Sequence, residues 1–145
     1  MRRLTAVALA AALPAALAAE EVKPTNAAPL LAMGAYVPTD DMEGSGAFYR
    51  TLFEIAPAIE LPDFVAFDVA GGWFAIVSRE KYAPGSEPGS GAVPYLQSAD
   101  LETLQKRAVA AGVAVPEIIE EPGIHLLKMM DPNGQLIEFF RLMGG

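Results

Sequence analysis

The sequence predicts an α+β domain in which two β-α-β-β-β modules pack on one another. Strand-like and helix-like segments alternate after residue 30, and the same order of segments occurs twice. The two copies lie 59 residues apart, so that Tyr36 falls on Tyr95 and Asp41 falls on Asp100. A single copy is too small to bury a core of its own, and we therefore expect the two copies to share one.

The first module begins with the apolar run Leu30 to Val37, which predicts a strand that ends at Pro38. Asp41 is a favourable helix N-cap, and the apolar residues that follow recur at the spacing of a helix over 41–53. Further along, the pair Gly71-Gly72 indicates a hairpin turn. The strands expected after the helix are residues 56–60, 64–69 and 73–78.

A glycine-rich segment, YAPGSEPGSGA, spans Tyr82 to Ala92. Such segments can cradle phosphate groups, but this one contains no Lys, no Arg and no G-K-[ST] motif. We interpret residues 81–92 as a linker within a single domain over 30–145. The linker separates module one at 30–80 from module two at 93–142.

The second module repeats the order of the first. Val93 to Gln97 reads as a strand, Asp100 is the helix cap, and Gly112 marks the end of a helix over 100–111. The apolar face of this helix consists of Leu101, Leu104, Ala108 and Ala111. The strands expected after it are residues 117–121, 124–130 and 135–141.

The stretch DPNGQLIEFF, which starts at Asp131, joins the last two strands. Pro132 and Gly134 suit a tight turn, and turn geometry alone explains these residues. Glu138 is different, because Leu136 and Phe140 share its strand face and are apolar. An ionised carboxylate in such a place needs a partner.

The length of the turn loop decides which residue faces Glu138. A three-residue loop over 132–134 sets Lys128 opposite Glu138, and Lys128 would then offset the carboxylate charge. A two-residue loop sets Leu127 there and leaves Glu138 unpaired, as a candidate acid–base group. We favour the first register because Gly134 suits a bulged three-residue loop.

The duplicated β-α-β-β-β unit that ends in D-P-N-G-Q-L-I-E-F-F resembles the vicinal oxygen chelate superfamily of glyoxalases, bleomycin-resistance proteins and extradiol dioxygenases. The helix stretch AFYRTLF at 47–53 resembles the first helix of that family. The resemblance covers roughly residues 30–142. It implies an open, curled mixed-sheet barrel around a cleft, in which the glutamate at the position of Glu138 often binds a divalent metal.

The resemblance also implies three further metal-ligand positions. These positions carry Gly34, Val93 and Ile76, or Ala75 if Gly71 is the turn glycine. None of these side chains can bind a metal. The remaining carboxylate alone makes a poor metal site, so we expect neither metal nor any other cofactor.

We therefore predict metal-independent binding of a small flat or cationic molecule, as in the bleomycin-resistance branch. The predicted ligand-binding residues are Glu138, Tyr36, Trp73, Tyr95, Phe140 and the only histidine, His125. One alternative is a lyase, isomerase or dioxygenase in which Glu138 is catalytic. Another is a protein-interaction module, and a homodimer remains open.

The N-terminus has the three-part pattern of a secretory signal peptide over 1–18. Arg2 and Arg3 precede an apolar run, and Ala16-Leu17-Ala18 forms the cleavage signal. The run is shorter than the roughly 20 residues that span a bilayer, so we expect cleavage rather than anchoring. A flexible segment over 19–29 should follow, in a periplasmic or secreted protein.

The charge and the cysteine content limit which partners and which covalent cross-links the protein can have. The formal net charge is −8, which disfavours nucleic acid and anionic membrane surfaces as partners. The sequence contains no cysteine, so no disulfide stabilises an exported form.

Overall fold

Two four-stranded sheets, each accompanied by a helix, make up the domain in the computed structural model, which describes residues 31–144. The predicted signal peptide (1–18) and flexible segment (19–29) lie outside the described residues. The elements of module one are β1 (Gly34–Thr39), α1 (Met42–Phe53), β2 (Ile59–Leu61), β3 (Phe64–Val69), β4 (Gly72–Ser78) and α2 (Arg79–Tyr82). Those of module two are β5 (Tyr95–Gln97), α3 (Leu101–Ala110), β6 (Ile118–Glu121), β7 (Ile124–Met130) and β8 (Leu136–Leu142).

The sheets are mixed, and they have the same topology. The strand orders are β1-β4-β3-β2 and β5-β8-β7-β6. In each sheet the first strand pairs in parallel with the last, whereas the other pairs are antiparallel. No strand ladder joins the two sheets within residues 31–144, so the barrel is open. The predicted α+β class with two β-α-β-β-β modules is confirmed.

Each long helix begins at the predicted aspartate. Asp41 Oδ1 accepts a hydrogen bond from the backbone N–H of Gly44, and Asp100 Oδ1 accepts one from Thr103. These bonds satisfy donors that the first helical turn leaves free. None of the helices in the described part of the chain is long and apolar enough to cross a membrane.

Three local predictions were wrong. Strand β1 does not end at Pro38 but continues to Thr39, because it is an edge strand where a missing N–H is tolerated. Strand β2 lies at Ile59–Leu61, later than expected. The four-residue helix α2 was not expected, and the buried guanidinium of Arg79, paired with Asp40 at 3.0 Å, holds it against the end of β1.

One apolar core lies between the helices and the sheets. It joins both modules and includes Phe48, Leu52, Phe67, Phe74, Leu101, Leu127, Ile137 and Phe139. Alternate residues of every strand point to the opposite side, which we call the helix-free face because neither α1 nor α3 packs on it. The two modules thus share this core, and α1 and α3 also pack on each other.

A buried polar cluster links α1 to the turn between β7 and β8. The Tyr49 hydroxyl donates to Asp131 Oδ2 at 2.8 Å, and both residues are buried. Asp131 Oδ1 accepts from the backbone N–H groups of Asn133 and Gln135 at 2.8 and 2.9 Å. The carboxylate therefore shapes its own turn and holds the helix of the other module.

The turn asparagine completes this cluster. Thr39 Oγ1 donates to Asn133 Oδ1 at 2.7 Å, and Asn133 Nδ2 donates to Ser45 Oγ at 2.9 Å. The hydroxyl oxygens of Thr39 and Ser45 are 2.8 Å apart, which closes a ring of hydrogen bonds. Turn geometry alone therefore does not explain D-P-N-G. We call this cluster of Thr39, Ser45, Tyr49, Asp131 and Asn133 the polar junction.

Burial raises the pKa of Tyr49 well above that of an ordinary tyrosine, and the neighbouring Asp131 charge and hydrogen bond raise it further. The phenol therefore stays protonated and remains a donor to the carboxylate. Unfolding exposes the phenol to water, where it ionises above about pH 10. The contribution of the protonated Tyr49 phenol to stability is therefore complete below about pH 10, and it is lost as the pH rises toward the folded-state pKa.

We expect Tyr49→Phe to lower the free energy of unfolding at neutral pH by about 1.5–3 kcal/mol, because a hydrogen bond to a buried charge is lost. Urea unfolding followed by circular dichroism measures this change. From about pH 9 to 11 the wild-type stability should fall more steeply than that of the variant, by up to about 1.4 kcal/mol per pH unit. Tyr95→Phe, at a half-exposed tyrosine, is the matched control. Equal alkaline slopes for wild type and Tyr49→Phe would contradict the assignment.

Candidate functional site

The register of β7 and β8 places Lys128 directly opposite Glu138, as the three-residue loop predicted. Gly134 has a φ of 79°, in the left-handed region that the bulged loop requires. Lys128 Nζ lies 3.1 Å from Glu138 Oε2. The alternative register, with Leu127 at this place, is wrong, because Leu127 faces Phe139 in the core.

Glu138 is the centre of a row of three side chains across three strands. Tyr95 on β5 and Lys128 on β7 are its direct neighbours on either side. The backbone N–H of Glu138 donates to Pro94 O at 3.0 Å and ties β8 to the start of β5. All three side chains point to the helix-free face of module two.

An aromatic pair lies beside this row. The rings of Tyr95 and Phe140 stack with centroids 4.1 Å apart and an interplanar angle of 11°. Tyr95 is 52% exposed, so one face of the stack is open to a flat molecule. We call Tyr95, Phe140, Glu138 and Lys128 the module-two site.

The two charges in this site differ in exposure. The Glu138 side chain is 17% exposed, whereas that of Lys128 is 45% exposed. The lysine can therefore swing into water at little cost, but the carboxylate stays between its neighbours. A cation that approaches the aromatic pair would compete with Lys128 for the carboxylate.

Tyr36 and Trp73 lie on the matching face of module one. Tyr36 pairs with Ala75 just as Tyr95 pairs with Glu138, so Ala75 is the structural equivalent of Glu138. Ile76, the equivalent we favoured, lies in the core, because the hairpin turn consists of Ala70-Gly71 rather than Gly71-Gly72. Among the described residues, no ring contact or hydrogen bond joins Tyr36 and Trp73 to the module-two site.

His125 does not join the other predicted residues. It pairs with Arg141 across the strands, and Arg141 Nη2 lies 3.2 Å from His125 Nδ1. Arg141 in turn binds Glu102 on α3, so these side chains lie on the helix-covered face. His125 is three residues from Lys128, and strand alternation puts the two on opposite faces. His125 therefore does not contribute to the module-two site.

The donor set around Glu138 does not fit a metal. The three other ligand positions implied by the resemblance carry Ala75, Gly34 and Val93, and none of these side chains has an atom that can bind a metal. Within residues 31–144, no group of three or more His, Asp or Glu side chains lies close enough to hold an ion. Metal ligation of the superfamily type needs several such donors.

A concavity that the sequence did not predict lies at the boundary of the two modules. It has a volume of about 260 Å³, and Phe53, Leu104 and Phe139 are among its lining residues. These residues belong to three elements that are far apart in the chain. Each alone reads as an ordinary core residue, so sequence periodicity could not reveal the space between them.

Solved structures with the same arrangement of elements come from several bacteria. A lactoylglutathione lyase from Agrobacterium tumefaciens is 20% identical, with a TM-score of 0.61 over 79% of this chain and 95% of that chain. A glyoxalase/bleomycin resistance protein/dioxygenase family enzyme from Burkholderia phytofirmans is 17% identical, with a TM-score of 0.65 over 76% and 97%. A glyoxalase/bleomycin resistance protein from Catenulispora acidiphila is 25% identical, with a TM-score of 0.62 over 79% and 100%.

No protein-family model and no curated protein matches the sequence. The resemblance therefore rests on the three-dimensional arrangement that the solved structures match and on the sequence motif that contains Glu138. The chain has the fold of the vicinal oxygen chelate superfamily, the glyoxalase/bleomycin resistance/dioxygenase fold.

Proposed function

We propose that the protein binds a small, flat, cationic molecule at the module-two site, without a metal. The observation that carries the proposal is the half-exposed Tyr95–Phe140 stack beside the shielded carboxylate of Glu138. A ring system can stack on the open face of Tyr95. A positive charge on the same molecule can reach Glu138 and interact with the tyrosine ring.

The charge balance supports a cationic rather than an anionic ligand. The chain has a formal net charge of −8, which raises the local concentration of cations at its surface. Lys128 neutralises Glu138 in the free protein, and its long side chain can move aside when a ligand brings its own charge. The lysine thus acts as a displaceable counter-ion for the carboxylate.

Two further proposals use the same face differently. In an enzyme, Glu138 would be the acid–base group, and its partial burial beside Tyr95 favours this alternative. In a protein-interaction module, the exposed rings of Tyr36, Trp73 and Tyr95 would contact a partner. A ligand that binds the native state raises the protein's thermal stability. A ligand-induced rise in melting temperature would therefore distinguish small-molecule binding from a protein-interaction module.

Proflavine, a flat tricyclic cation, is a suitable probe. We expect saturable binding, measured by isothermal titration calorimetry, that Glu138→Gln weakens about fivefold through loss of the counter-charge. Tyr95→Leu should weaken it by a similar factor, because the stacking surface is lost. Lys128→Met should tighten binding, because it removes the competing cation.

His125→Gln, on the opposite face of β7, is the control and should leave proflavine binding unchanged.

The free energy of unfolding of each variant measures how much the Lys128–Glu138 ion pair contributes to stability. Lys128→Met should cost about 1 kcal/mol or less, because the lysine is half exposed, and a second change, Glu138→Leu, should recover much of that cost. Unchanged affinity in both Glu138→Gln and Lys128→Met would refute the proposed site.

Metal independence is tested by elemental analysis of protein purified without chelators. We expect well under one equivalent of zinc, iron, nickel or manganese, because a single carboxylate offers too few ligands. Added zinc should not change the proflavine affinity. A stoichiometric metal that Glu138→Gln removes would favour the enzymatic alternative.

We further propose that the protein is exported, with the mature chain starting at Ala19 after the Ala16-Leu17-Ala18 signal. N-terminal sequencing of material from the periplasm or medium of a bacterial host should give Ala19 as the first residue. Replacing Ala16 and Ala18 by Leu should block processing and retain the precursor in the membrane fraction. A soluble intracellular product that keeps Met1 would contradict export.

A further inference from the structure

The linker between the modules is rich in glycine, proline and serine, yet it is attached to the rest of the protein at both ends. Its backbone forms two successive turns. The N–H of Ser86 donates to Ala83 O at 3.1 Å, and the N–H of Ser90 donates to Glu87 O at 3.2 Å. Turns of this kind do not fix the place of a segment on a protein, so the contacts at the two ends decide where the linker lies.

The first attachment is the buried side chain of Arg79 in α2. Arg79 Nη1 donates to the carbonyl oxygen and to the hydroxyl oxygen of Ser86 at 3.3 and 3.0 Å. Its Nη2 donates to Pro38 O at 2.9 Å, and its Nε pairs with Asp40. A buried guanidinium that lost these acceptors would not regain water. The start of the linker is therefore held at the end of β1 in module one.

The second attachment is Gly89, whose backbone lies against the turn before β8. A β-carbon at position 89 would lie 2.5 Å from the carbonyl oxygen of Gly134 and 3.0 Å from its carbonyl carbon. Gly89 also has a φ of 71°, in the left-handed region. Glycine permits both the close approach and this backbone conformation. The backbone of the linker is thus in direct contact with the turn of the last hairpin.

The chain then follows that hairpin into the module-two site. Gln135 Nε2 donates to Ala92 O at 3.4 Å, and the backbone N–H of Glu138 donates to Pro94 O at 3.0 Å. The next residue along the chain, Tyr95, is the direct neighbour of Glu138 across the strands. Together with the glycine contact, these bonds run from the turn to the residue that carries the carboxylate.

We propose that the linker positions the module-two site from module one, with Gly89 as the positioning residue. The close approach that Gly89 permits holds the turn before β8, and thereby the carboxylate of Glu138, in its place beside Tyr95. This role rests on the proposed binding of a ligand at the module-two site. A side chain at position 89 would force the linker and the turn apart. Because Arg79 restrains the linker only three residues earlier, part of that displacement falls on the turn.

Gly89→Ala is the test variant, and Gly85→Ala is its matched control. Gly85 has a φ of 80°, but a β-carbon there would have no atom within 4 Å. Alanine is therefore strained by the positive φ at both positions and meets another segment only at position 89, so both variants should lower the melting temperature. Only Gly89→Ala should weaken proflavine binding, by about two- to fivefold, because the Glu138 charge is displaced from the ligand. Isothermal titration calorimetry measures this change.

The double variant of Gly89→Ala with Glu138→Gln separates positioning of the carboxylate from a general loosening of the fold. If the alanine acts through the carboxylate, it should change the affinity by less than about 1.5-fold once the charge is gone. A loss of affinity by the same factor in both backgrounds would show that Gly89 does not act through Glu138, and this result would overturn the proposal.

Backbone amide signals in NMR spectra of the free protein test the positioning without a ligand. The signals of Gln135 and Glu138 should shift in Gly89→Ala and stay in place in Gly85→Ala, because the N–H of Glu138 donates to the residue that follows the linker by two positions. If wild type does not bind proflavine, the proposed function fails, whereas these shifts still decide the positioning. Unshifted signals in folded Gly89→Ala would overturn it.

Gln135→Met is a second variant for the case that Gly89→Ala does not fold. It removes the bond to Ala92 O and keeps a side chain of similar length, so that nothing is pushed against the turn. The Glu138 amide signal should shift, and proflavine binding should weaken about twofold, since one hydrogen bond between linker and hairpin is lost. An unshifted signal together with unchanged affinity would overturn the proposal.

Discussion

The hydrogen bond from Tyr49 to Asp131 fixes how the two modules sit on one another. The sheets share no ladder within the described chain, so backbone pairing does not set their relation. The common apolar core holds them together, but burial of apolar surface is non-directional and permits small rotations. A buried donor and a buried carboxylate allow far fewer arrangements, because an unmatched partner would lose its hydrogen bond without regaining water.

The same interaction also positions the module-two site. Asp131 closes its turn by accepting from Asn133 and Gln135, and its backbone N–H donates to Gln135 O at 2.9 Å. The length of the turn is thereby set, and so is the register of β7 on β8. A shift of one residue would turn Glu138 into the core and Ile137 out of it. The position of Glu138 thus depends on Asp131, whose other carboxylate oxygen binds Tyr49 of module one.

Much of the fold could be predicted from local signals in the sequence. The caps Asp41 and Asp100, the alternation of strand residues and the bulged turn at Gly134 each depend on near neighbours, and each was correct. The turn at Ala70-Gly71 was displaced by one residue, because Ala70 adopts a positive φ of 52° that glycine usually supplies. That single shift moved the equivalent of Glu138 from Ala75 to Ile76.

The features that the sequence did not predict are those made by residues far apart in the chain. His125 was included in the predicted site because the resemblance implies a polar or basic pocket residue at its place, yet strand alternation puts it on the opposite face from Glu138. Asp131 and Asn133 read as turn residues, although their side chains bind Tyr49 and Ser45 more than 80 residues away. A side chain that satisfies a turn and also a distant partner has the same local pattern as one that satisfies the turn alone.

The internal repeat offers a physical criterion for choosing among candidate sites. Two copies of one unit start with equivalent packing, so a position that differs strongly between them is not dictated by the fold itself. On the helix-free faces, Glu138 stands where the other copy has Ala75. In the long helices, Ala108 stands where the other copy has Tyr49. The first difference adds a charge beside an exposed ring, and the second replaces a hydrogen-bonded phenol by a buried methyl group. The charge of Glu138 is therefore not required by the fold that the two modules share, which is the physical condition for a residue to serve a function instead.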